Sequence, residues 1–336
     1  MSKSSLRIVA AALAATAIVA LAGCSSESGT PPATADGADG RSVAYLNFSV
    51  VNVYDKPIQD AAQAAADKAG VKMTVFDGKA DGGAQFNQLQ NVITAGTYDG
   101  VIIQAVQSTN LIPLIKEATA QGIAVVIVDQ VVGEDLSTNE PQVDGIVASV
   151  TIPPVQVGKR LGELAIQSCT EASCDAAFIY GYKGSVTDDG LAQGFADAIA
   201  GSKVTMAAEG QGSYTTEGGL EAAQNILTSN PDVDIMVAAD QTLLGAEQAI
   251  ASAGRTGEVT LIGYNGSTPA LAKIKEGAWF GGVQYPQKTA GREAMEAMVD
   301  YFDTGATPGA IELLANQPHD NLITKDTVDD FHSEDQ

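Results

Sequence analysis

One short apolar run constrains the fold of this chain more than any other feature. Residues Ile123 to Val128 are all apolar and mostly β-branched, and they lie between Gly122 and the polar pair Asp129 and Gln130. A run this short and this uniformly apolar is typical of a strand buried on both faces, as in a parallel sheet. Because open α/β folds bind ligands at the carboxyl edge of such a sheet, Asp129 and Gln130 are predicted to reach a ligand crevice.

The same alternation of strand and helix recurs along the chain. Apolar strand patterns and amphipathic helices alternate from residue 41 to residue 128, and the rhythm resumes after an irregular loop at 130–144. Such alternation implies parallel strands joined by right-handed crossovers. The predicted fold class is therefore α/β, with two doubly wound parallel-sheet lobes and a ligand crevice between them. The acidic tail from Lys325 to Gln336 is expected to fray.

The charge of the chain limits its partners. Its 336 residues carry 18 Lys and Arg against 41 Asp and Glu, a formal net charge of −23. Binding to nucleic acid needs clustered cations, so no nucleic-acid partner is expected.

The amino-terminal residues predict export. Lys3 and Arg7 precede an apolar stretch that is too short and too alanine-rich for a convincing membrane span, so residues 1–23 are interpreted as a signal peptide. The sequence Leu21-Ala-Gly-Cys24 resembles a bacterial lipobox, which implies lipidation of Cys24 and an extracytoplasmic protein held at the cell membrane by that lipid alone. The alternative is an ordinary secretory signal with a chance cysteine. Residues 24–40 are predicted to form a flexible tether.

The other two cysteines, Cys169 and Cys174, lie at a predicted helix-to-strand junction. In an oxidising compartment they are expected to form a local disulfide, and two free buried thiols are the alternative.

The chain lacks the patterns of an enzyme. Its histidines, His319 and His332, lie near or in the tail, and no catalytic triad or metal-ligand spacing accompanies them. Gly210-Gln-Gly212 continues with Ser-Tyr-Thr instead of the glycine that a dinucleotide fingerprint requires. We expect no catalysis, no cofactor and no metal.

From Ser42 to Leu322 the chain resembles the type I periplasmic solute-binding proteins of the ribose-binding cluster, the receptor components of ABC sugar importers. The matching segments keep the order and spacing of that family: Val43 to Ala62, Val125 to Asp129, Gly181 to Phe195, Tyr214 to Asp232, Ala239 to Ala246, Ile262 to Gly266 and Val283 to Pro286. Related repressors carry a DNA-binding motif before the first strand, where this chain has the predicted signal and tether.

The resemblance implies two lobes that are discontinuous in sequence and joined by a three-strand hinge. Lobe one is expected to comprise residues 41–148 and 285–313, and lobe two residues 149–284 and 314–336. The crossings near Ser149, Tyr285 and Leu314 would absorb the rotation that closes the crevice.

The resemblance also implies a set of ligand contacts: Asn52, Tyr54, Asp55, Asp129, Gln130, Asp189, Tyr214, Ala239, Asn265 and Gln284. Their carboxylates, amides and tyrosines suit a neutral polyhydroxyl solute. Ribose binders of this cluster carry arginine where Gln130 stands and asparagine where Ala239 stands, so the site is expected to be acidic and to disfavour anions. A polyol, another small sugar or a cationic solute therefore stands beside a pentose as an expected ligand.

The functional hypothesis is a monomeric, lipid-anchored receptor that closes around a small sugar or polyol and delivers it to ABC permease subunits. The alternative is a sensory receptor that binds a small signal molecule in the same crevice and reports to a membrane kinase or chemoreceptor.

Overall fold

A computed structural model describes residues 37–314 and 317–335. The predicted signal peptide, Cys24 and most of the predicted tether lie outside these residues. In chain order the strands are β1 (Ser42–Asn47), β2 (Lys72–Asp77), β3 (Gly100–Ile103), β4 (Ala124–Asp129), β5 (Ile146–Thr151), β6 (Cys174–Tyr180), β7 (Val204–Gln211), β8 (Ile235–Ala239), β9 (Thr260–Asn265), β10 (Gly281–Gln284), β11 (Gly309–Ala310) and β12 (Leu322–Thr324).

The α-helices cover the two faces of each sheet. They are α1 (Asp55–Ala69), α2 (Gly82–Ala95), α3 (Ser108–Ala120), α4 (Pro154–Ser168), α5 (Val186–Ile199), α6 (Thr216–Ser229), α7 (Asp240–Ser252), α8 (Thr268–Glu276) and α9 (Gln287–Thr304). Short 3₁₀ turns lie at Pro318–Asn321 and Val328–Asp330.

The first lobe is built on a parallel sheet with the strand order β11-β5-β4-β3-β1-β2. The apolar run of β4 is buried on both faces, since Val126 and Val128 pack with α1 and α9 while Val125 and Ile127 pack with α2 and α3. Burial on both faces follows from the two helical layers that cover a parallel sheet.

The second lobe repeats this plan, with the strand order β12-β10-β9-β8-β6-β7. Its strands are parallel except β12, which runs antiparallel to β10. One face packs against Leu161 of α4 and Phe195 of α5, and the other against Ile226 of α6 and Leu243 of α7. The predicted fold class, two parallel-sheet α/β lobes, is confirmed, and β12 is an additional strand at the edge.

Within the described residues, the chain passes between the two sheets three times. The passages lie between β5 and α4, between β10 and α9, and between β11 and β12. The first predicted crossing, Ser149, falls inside β5, which stays in the first sheet as far as Thr151. The second passage runs from Gln284, at the end of β10, to Gln287, at the start of α9, and contains Tyr285. The role of these passages as a hinge stays a prediction.

Two peripheral features stabilise the second lobe. A disulfide joins Cys169 to Cys174 at the junction of α4 and β6, with the two Cα atoms 6.0 Å apart. The described part of the tail, residues 325–335, packs on this lobe because Val328 and Phe331 are buried in the core of the lobe, whereas the sequence suggested that it frays. The prediction rested on the acidic composition of the tail and did not take account of these two apolar residues.

Candidate ligand cavity

The carboxyl ends of strands from both lobes surround one cavity. Its volume is about 90 Å³, several times the roughly 10–15 Å³ that one water needs by a comparable measure. The polar side chains of the lining are those of Asn52, Tyr54, Asp55, Ser108, Asp129, Gln130, Tyr182, Ser185, Thr187, Tyr214, Gln241, Tyr264, Asn265, Gln284 and Tyr285. The cavity is therefore large enough for a small solute and rich in hydrogen-bonding groups.

Asp129 and Asp55 form an acidic corner in the first lobe. The Gln104 side chain lies behind them, and its Nε2 donates to Asp55 Oδ1 at 2.7 Å and to Asp129 Oδ2 at 3.0 Å. Asp129 also accepts from the hydroxyl of Tyr54 at 2.8 Å and from Nε2 of Gln130 at 2.8 Å. These donors fix the orientation of both carboxylates, which are 7% and 3% exposed for Asp129 and Asp55.

The two carboxyl groups carry shifted pKa values. Burial raises the pKa of Asp55, and the nearby charge of Asp129 raises it further, while bonds from Gln104 and the Ser49 backbone oppose the shift. Burial also raises the pKa of Asp129, against the bonds from Gln104, Tyr54 and Gln130. Further donors or a positive charge in the cavity would stabilise the ionised forms.

Three residues of the lining have a left-handed backbone. The φ angles are 67° at Asp129, 55° at Tyr214 and 119° at Asn265. Residues other than glycine rarely adopt such angles, and they cluster at ligand clamps when the surrounding structure holds them there. This strain supports a functional role for the ends of β4 and β9 and for the turn after β7.

The second lobe contributes an aromatic wall. The Tyr214 hydroxyl donates to Asp188 Oδ2 at 2.7 Å, and the rings of Tyr214 and Tyr182 meet edge to face with centroids 5.6 Å apart. Tyr182 also faces Phe48 of the first lobe, with centroids 6.5 Å apart. Such rings offer apolar faces to the C–H groups of a ring-shaped solute.

The lobes touch across the cavity in this structure. The hydroxyl of Thr187, in the second lobe, donates to Oε1 of Gln130 in the first lobe. Together with the Phe48–Tyr182 contact, this bond shows that the lobes are closed over the cavity.

Five buried polar atoms at the lining have no hydrogen-bond partner within the described part of the protein. They are Asp55 Oδ2, Ser108 Oγ, Gln241 Oε1 and the hydroxyl oxygens of Tyr264 and Tyr285. Buried polar atoms are nearly always paired in native proteins, so these atoms point to a guest with hydroxyl or amine donors.

The structure brings most of the predicted contact residues together. Eight of the ten line the cavity: Asn52, Tyr54, Asp55, Asp129, Gln130, Tyr214, Asn265 and Gln284. Ala239 does not, because it ends β8 with its side chain in the core of the second lobe.

Asp189 also lies outside the lining, exposed, where its carboxylate accepts from the Gly184 backbone N–H at 3.0 Å. Its neighbour Asp188 points inward instead. Asp188 is fully buried and accepts from the backbone N–H groups of Gly181 and Tyr182 and from the hydroxyl of Tyr214. A step of one residue turns a helical side chain by about 100°, which separates the two acids.

Several residues of the site were not anticipated. The lining also includes Phe48, Ser108, Tyr182, Ser185, Thr187, Gln241, Tyr264 and Tyr285. The supporting Gln104 had a usable signal, since it follows β3 as Asp129 ends the adjacent parallel strand β4.

The described residues offer no metal-binding group of three or more His, Cys, Asp or Glu side chains. Within the cavity lining, as far as the chain is described, there is no lysine, arginine or histidine. The site thus has two acids and no cation to balance them, an arrangement suited to hydrogen-bond donors.

None of the helices that the structure describes is long and apolar enough to span a bilayer.

Comparison with known proteins agrees with this architecture. The D-allose-binding periplasmic protein of Escherichia coli is 25% identical over 253 residues, which cover 74% of this chain and 79% of that protein. The ribose import binding protein of Bacillus subtilis is 26% identical over 262 residues, covering 78% and 80%.

A solved structure with the same fold is the Caulobacter myo-inositol binding protein bound to myo-inositol. Its TM-score is 0.75 at 23% identity, and the match covers 86% of this chain and 95% of that one. The family model described as "Periplasmic binding protein domain" matches residues 43–307. With these two lobes and the cavity between them, the chain belongs to the periplasmic binding protein domain family.

Proposed function

We propose that this chain is an extracytoplasmic receptor that binds a small sugar or polyol between its lobes and passes it to an ABC importer without altering it. The observation that carries the proposal is the cavity itself. It is lined by two carboxylates, several amides and several tyrosines, with no cation among its described lining residues.

The chemistry of the lining favours a neutral solute with several hydroxyl groups. A hydroxyl can donate to a carboxylate and accept from an amide, and bonds to a carboxylate are stronger than those between neutral groups. The unpartnered oxygens of Asp55 and Gln241 would accept such hydroxyl donors. A sugar acid would bring a further anionic group beside Asp55 and Asp129, at a cost in affinity.

The proposed contacts are the eight predicted residues that line the cavity. The names of the relatives support the same class of solute, since one is a D-allose binder and another takes part in ribose import. The structural neighbour was solved with myo-inositol, a polyol.

The proposed setting is the outer face of the cell membrane. Lipidated Cys24 would anchor the protein, residues 24–40 would tether the folded part, and a monomer would present its closed form to the permease. Ligand contacts from both lobes favour closure, so the closed form would be the one that signals a bound solute.

The test is a binding screen of the purified protein by thermal shift and calorimetry. The panel comprises D-ribose, D-allose, myo-inositol, the sugar acid D-gluconate and the amine ethanolamine. A neutral solute at about 100 times its dissociation constant should stabilise the fold by about 2.7 kcal/mol. Product analysis of the bound solute should recover it unchanged.

Stabilisation by D-gluconate alone would contradict the proposed solute class, and ethanolamine alone would indicate a cationic guest. Recovery of a chemically altered solute would show that the protein is an enzyme.

A further inference from the structure

The end of the described chain contacts both lobes. Residues His332 to Asp335, here called the strap, follow Phe331, which is buried in the second lobe. They continue to the first turns of α8 in the second lobe and α9 in the first. Nothing in the acidic sequence of this segment predicted such contacts.

One end of the contact is in the first lobe. Glu334 accepts from the Thr289 backbone N–H at 2.8 Å and from the Thr289 hydroxyl at 2.9 Å. Helix α9 has no side-chain cap of its own, since its N-cap residue is Pro286. Glu334 thus satisfies an N–H that the first turn of a helix leaves free, and it lies where the helix dipole favours an anion.

The other end is in the second lobe. Asp335 accepts from the Thr268 backbone N–H at 2.8 Å and from the Thr268 hydroxyl at 2.7 Å, at the start of α8. The Ser333 hydroxyl donates to the same carboxylate at 2.7 Å. Burial alone would raise the pKa of Asp335, but the bonds from Ser333 and Thr268 lower it overall, so the carboxylate is held ionised.

The strap also touches a residue of the cavity. The carbonyl oxygen of His332 accepts from Nε2 of Gln284 at 2.6 Å, and Gln284 both lines the cavity and ends β10 at a passage between the lobes. On the other side, Asn321 Nδ2 donates to the Gln284 carbonyl at 2.8 Å. The strap therefore lies directly behind one wall of the ligand cavity.

The two anchors are on consecutive residues, which limits what they can span. Neighbouring Cα atoms are about 3.8 Å apart, so Glu334 and Asp335 can hold Thr289 and Thr268 together only while the two helix starts stay close. A rotation of the lobes that separates α8 from α9 would break one anchor or the other.

We propose that the strap is an interlobe latch, in which Glu334 and Asp335 together hold the lobes closed and His332 positions Gln284 in the cavity. The proposal goes beyond solute binding, because it assigns control of closure to residues that do not line the cavity. Loss of either anchor should release the latch as completely as loss of both.

The test is a double-mutant cycle on the full chain with Glu334→Ala, Asp335→Ala and the double variant. The matched control is Asp329→Ala, which removes another acid of the tail, one whose ion pair with Lys275 lies within the second lobe. Hydrogen–deuterium exchange is followed for the cleft segments around Gln130 and Thr187 without ligand. Each single variant should speed exchange there by about tenfold, as expected when a charge-assisted contact is lost, and the double variant should add little.

The same variants are titrated with D-ribose, D-allose and myo-inositol. Any of these that binds the parent chain should bind each latch variant about tenfold more weakly, and the Asp329→Ala control should match the parent. If none of the three solutes binds the parent chain, that result counts against the proposed function. The latch is still tested, because the exchange experiment needs no ligand.

Unchanged cleft exchange in both single variants would overturn the latch. So would effects that add in the double variant, because independent helix caps would act additively. If the alanine variants do not fold, Glu334→Gln and Asp335→Asn keep one acceptor oxygen each, and the same two readouts then decide.

Discussion

The two lobes differ in what they present to the cavity. The first lobe supplies both charged groups of the lining, Asp55 and Asp129, whereas the lining from the second lobe is neutral, with tyrosines, hydroxyls and the amides of Gln241 and Asn265. Asp188, a buried acid of the second lobe, lies behind the aromatic wall and accepts hydrogen bonds from the Gly181 backbone N–H and the Tyr214 hydroxyl. The first lobe therefore defines which donors a solute must carry, and the second lobe encloses the solute.

The largest effect is expected from removing the carboxylate of Asp129, which tests the proposed difference between the lobes. Asp129→Ala should weaken binding of the best solute by more than about 200-fold, roughly 3 kcal/mol, because a buried charged acceptor is lost and its donors are left unpaired. Calorimetry measures the affinity. Asp189→Ala is the matched control, since Asp189 is an exposed acid outside the lining, and it should bind like the parent. Equal losses in the two variants would contradict the assignment of the site.

Helix packing allows each lobe to be weakened separately. A Cβ atom at Gly291 would lie 1.9 Å from the carbonyl oxygen of Ile58 in the first lobe, and one at Gly245 would lie 1.9 Å from that of Thr216 in the second. Gly291→Ala and Gly245→Ala should each lower the free energy of unfolding by about 3 kcal/mol, at the upper end for overpacking. Hydrogen exchange resolved by segment would show whether the loss stays in one lobe.

Gly254→Ala is a control that separates backbone strain from overpacking. Its φ of 73° is strained for alanine, but no atom lies within 4 Å of the added Cβ. It should destabilise the protein by only about 1 kcal/mol. Destabilisation of both lobes by either packing variant would show that the lobes unfold as one unit.

A buried acid gives the second lobe its own pH dependence. Burial raises the pKa of Asp240 to about 7, and bonds from Ser267 oppose the shift. Because the folded-state pKa is above the usual value, the stabilisation is complete below about pH 4 and is lost as the pH rises through about 7.

Between pH 5 and 7 the parent should lose about 2 kcal/mol of unfolding free energy relative to Asp240→Asn. Urea denaturation across this range measures the difference. Asp55 and Asp129 in the first lobe have shifts of the same sign, so both proteins will retain some slope. Parallel pH profiles for the parent and the variant would refute a role for Asp240.

The smallest effect on affinity is expected at the aromatic wall of the second lobe. Tyr214→Phe removes the hydroxyl that bonds to Asp188 and keeps the ring at the cavity. Affinity should fall by about fivefold, near 1 kcal/mol, because one hydrogen bond that orients the ring is lost. The loss is small because Asp188 retains its other donors. Calorimetry again measures the change, and a loss as large as that of Asp129→Ala would erase the proposed difference between the lobes.

The sequence predicted those parts of the structure that follow from strand order. Because β4 is buried on both faces, Asp129 had to emerge at the carboxyl edge, and the same reasoning applies to Asn265 at the end of β9. Asp188 and Asp189 are neighbours in the first turn of α5, so telling which of them faces inward needed the phase of that helix to within one residue. A pattern of apolar residues does not provide that accuracy.

Other features depend on contacts between distant segments. Gln104 bridges Asp55 and Asp129 because the fold brings the ends of β3 and β4 together with the start of α1. The contacts of Glu334 with Thr289 and of Asp335 with Thr268 join residues 45 and 67 positions apart in the chain. Composition could show that the tail is acidic, but it could not show which backbone N–H groups the acids meet.

The docked tail has a practical consequence for handling the protein. Any affinity handle, fluorescent reporter or surface linker fused after Gln336 would be separated by only one residue from Asp335, whose carboxylate accepts hydrogen bonds from Thr268. A bulky fusion there would compete with this contact and alter the measured behaviour of the protein. Labels for binding or sensor work are better inserted in exposed loops remote from both helix starts, such as the turn at Gly254 to Gly257.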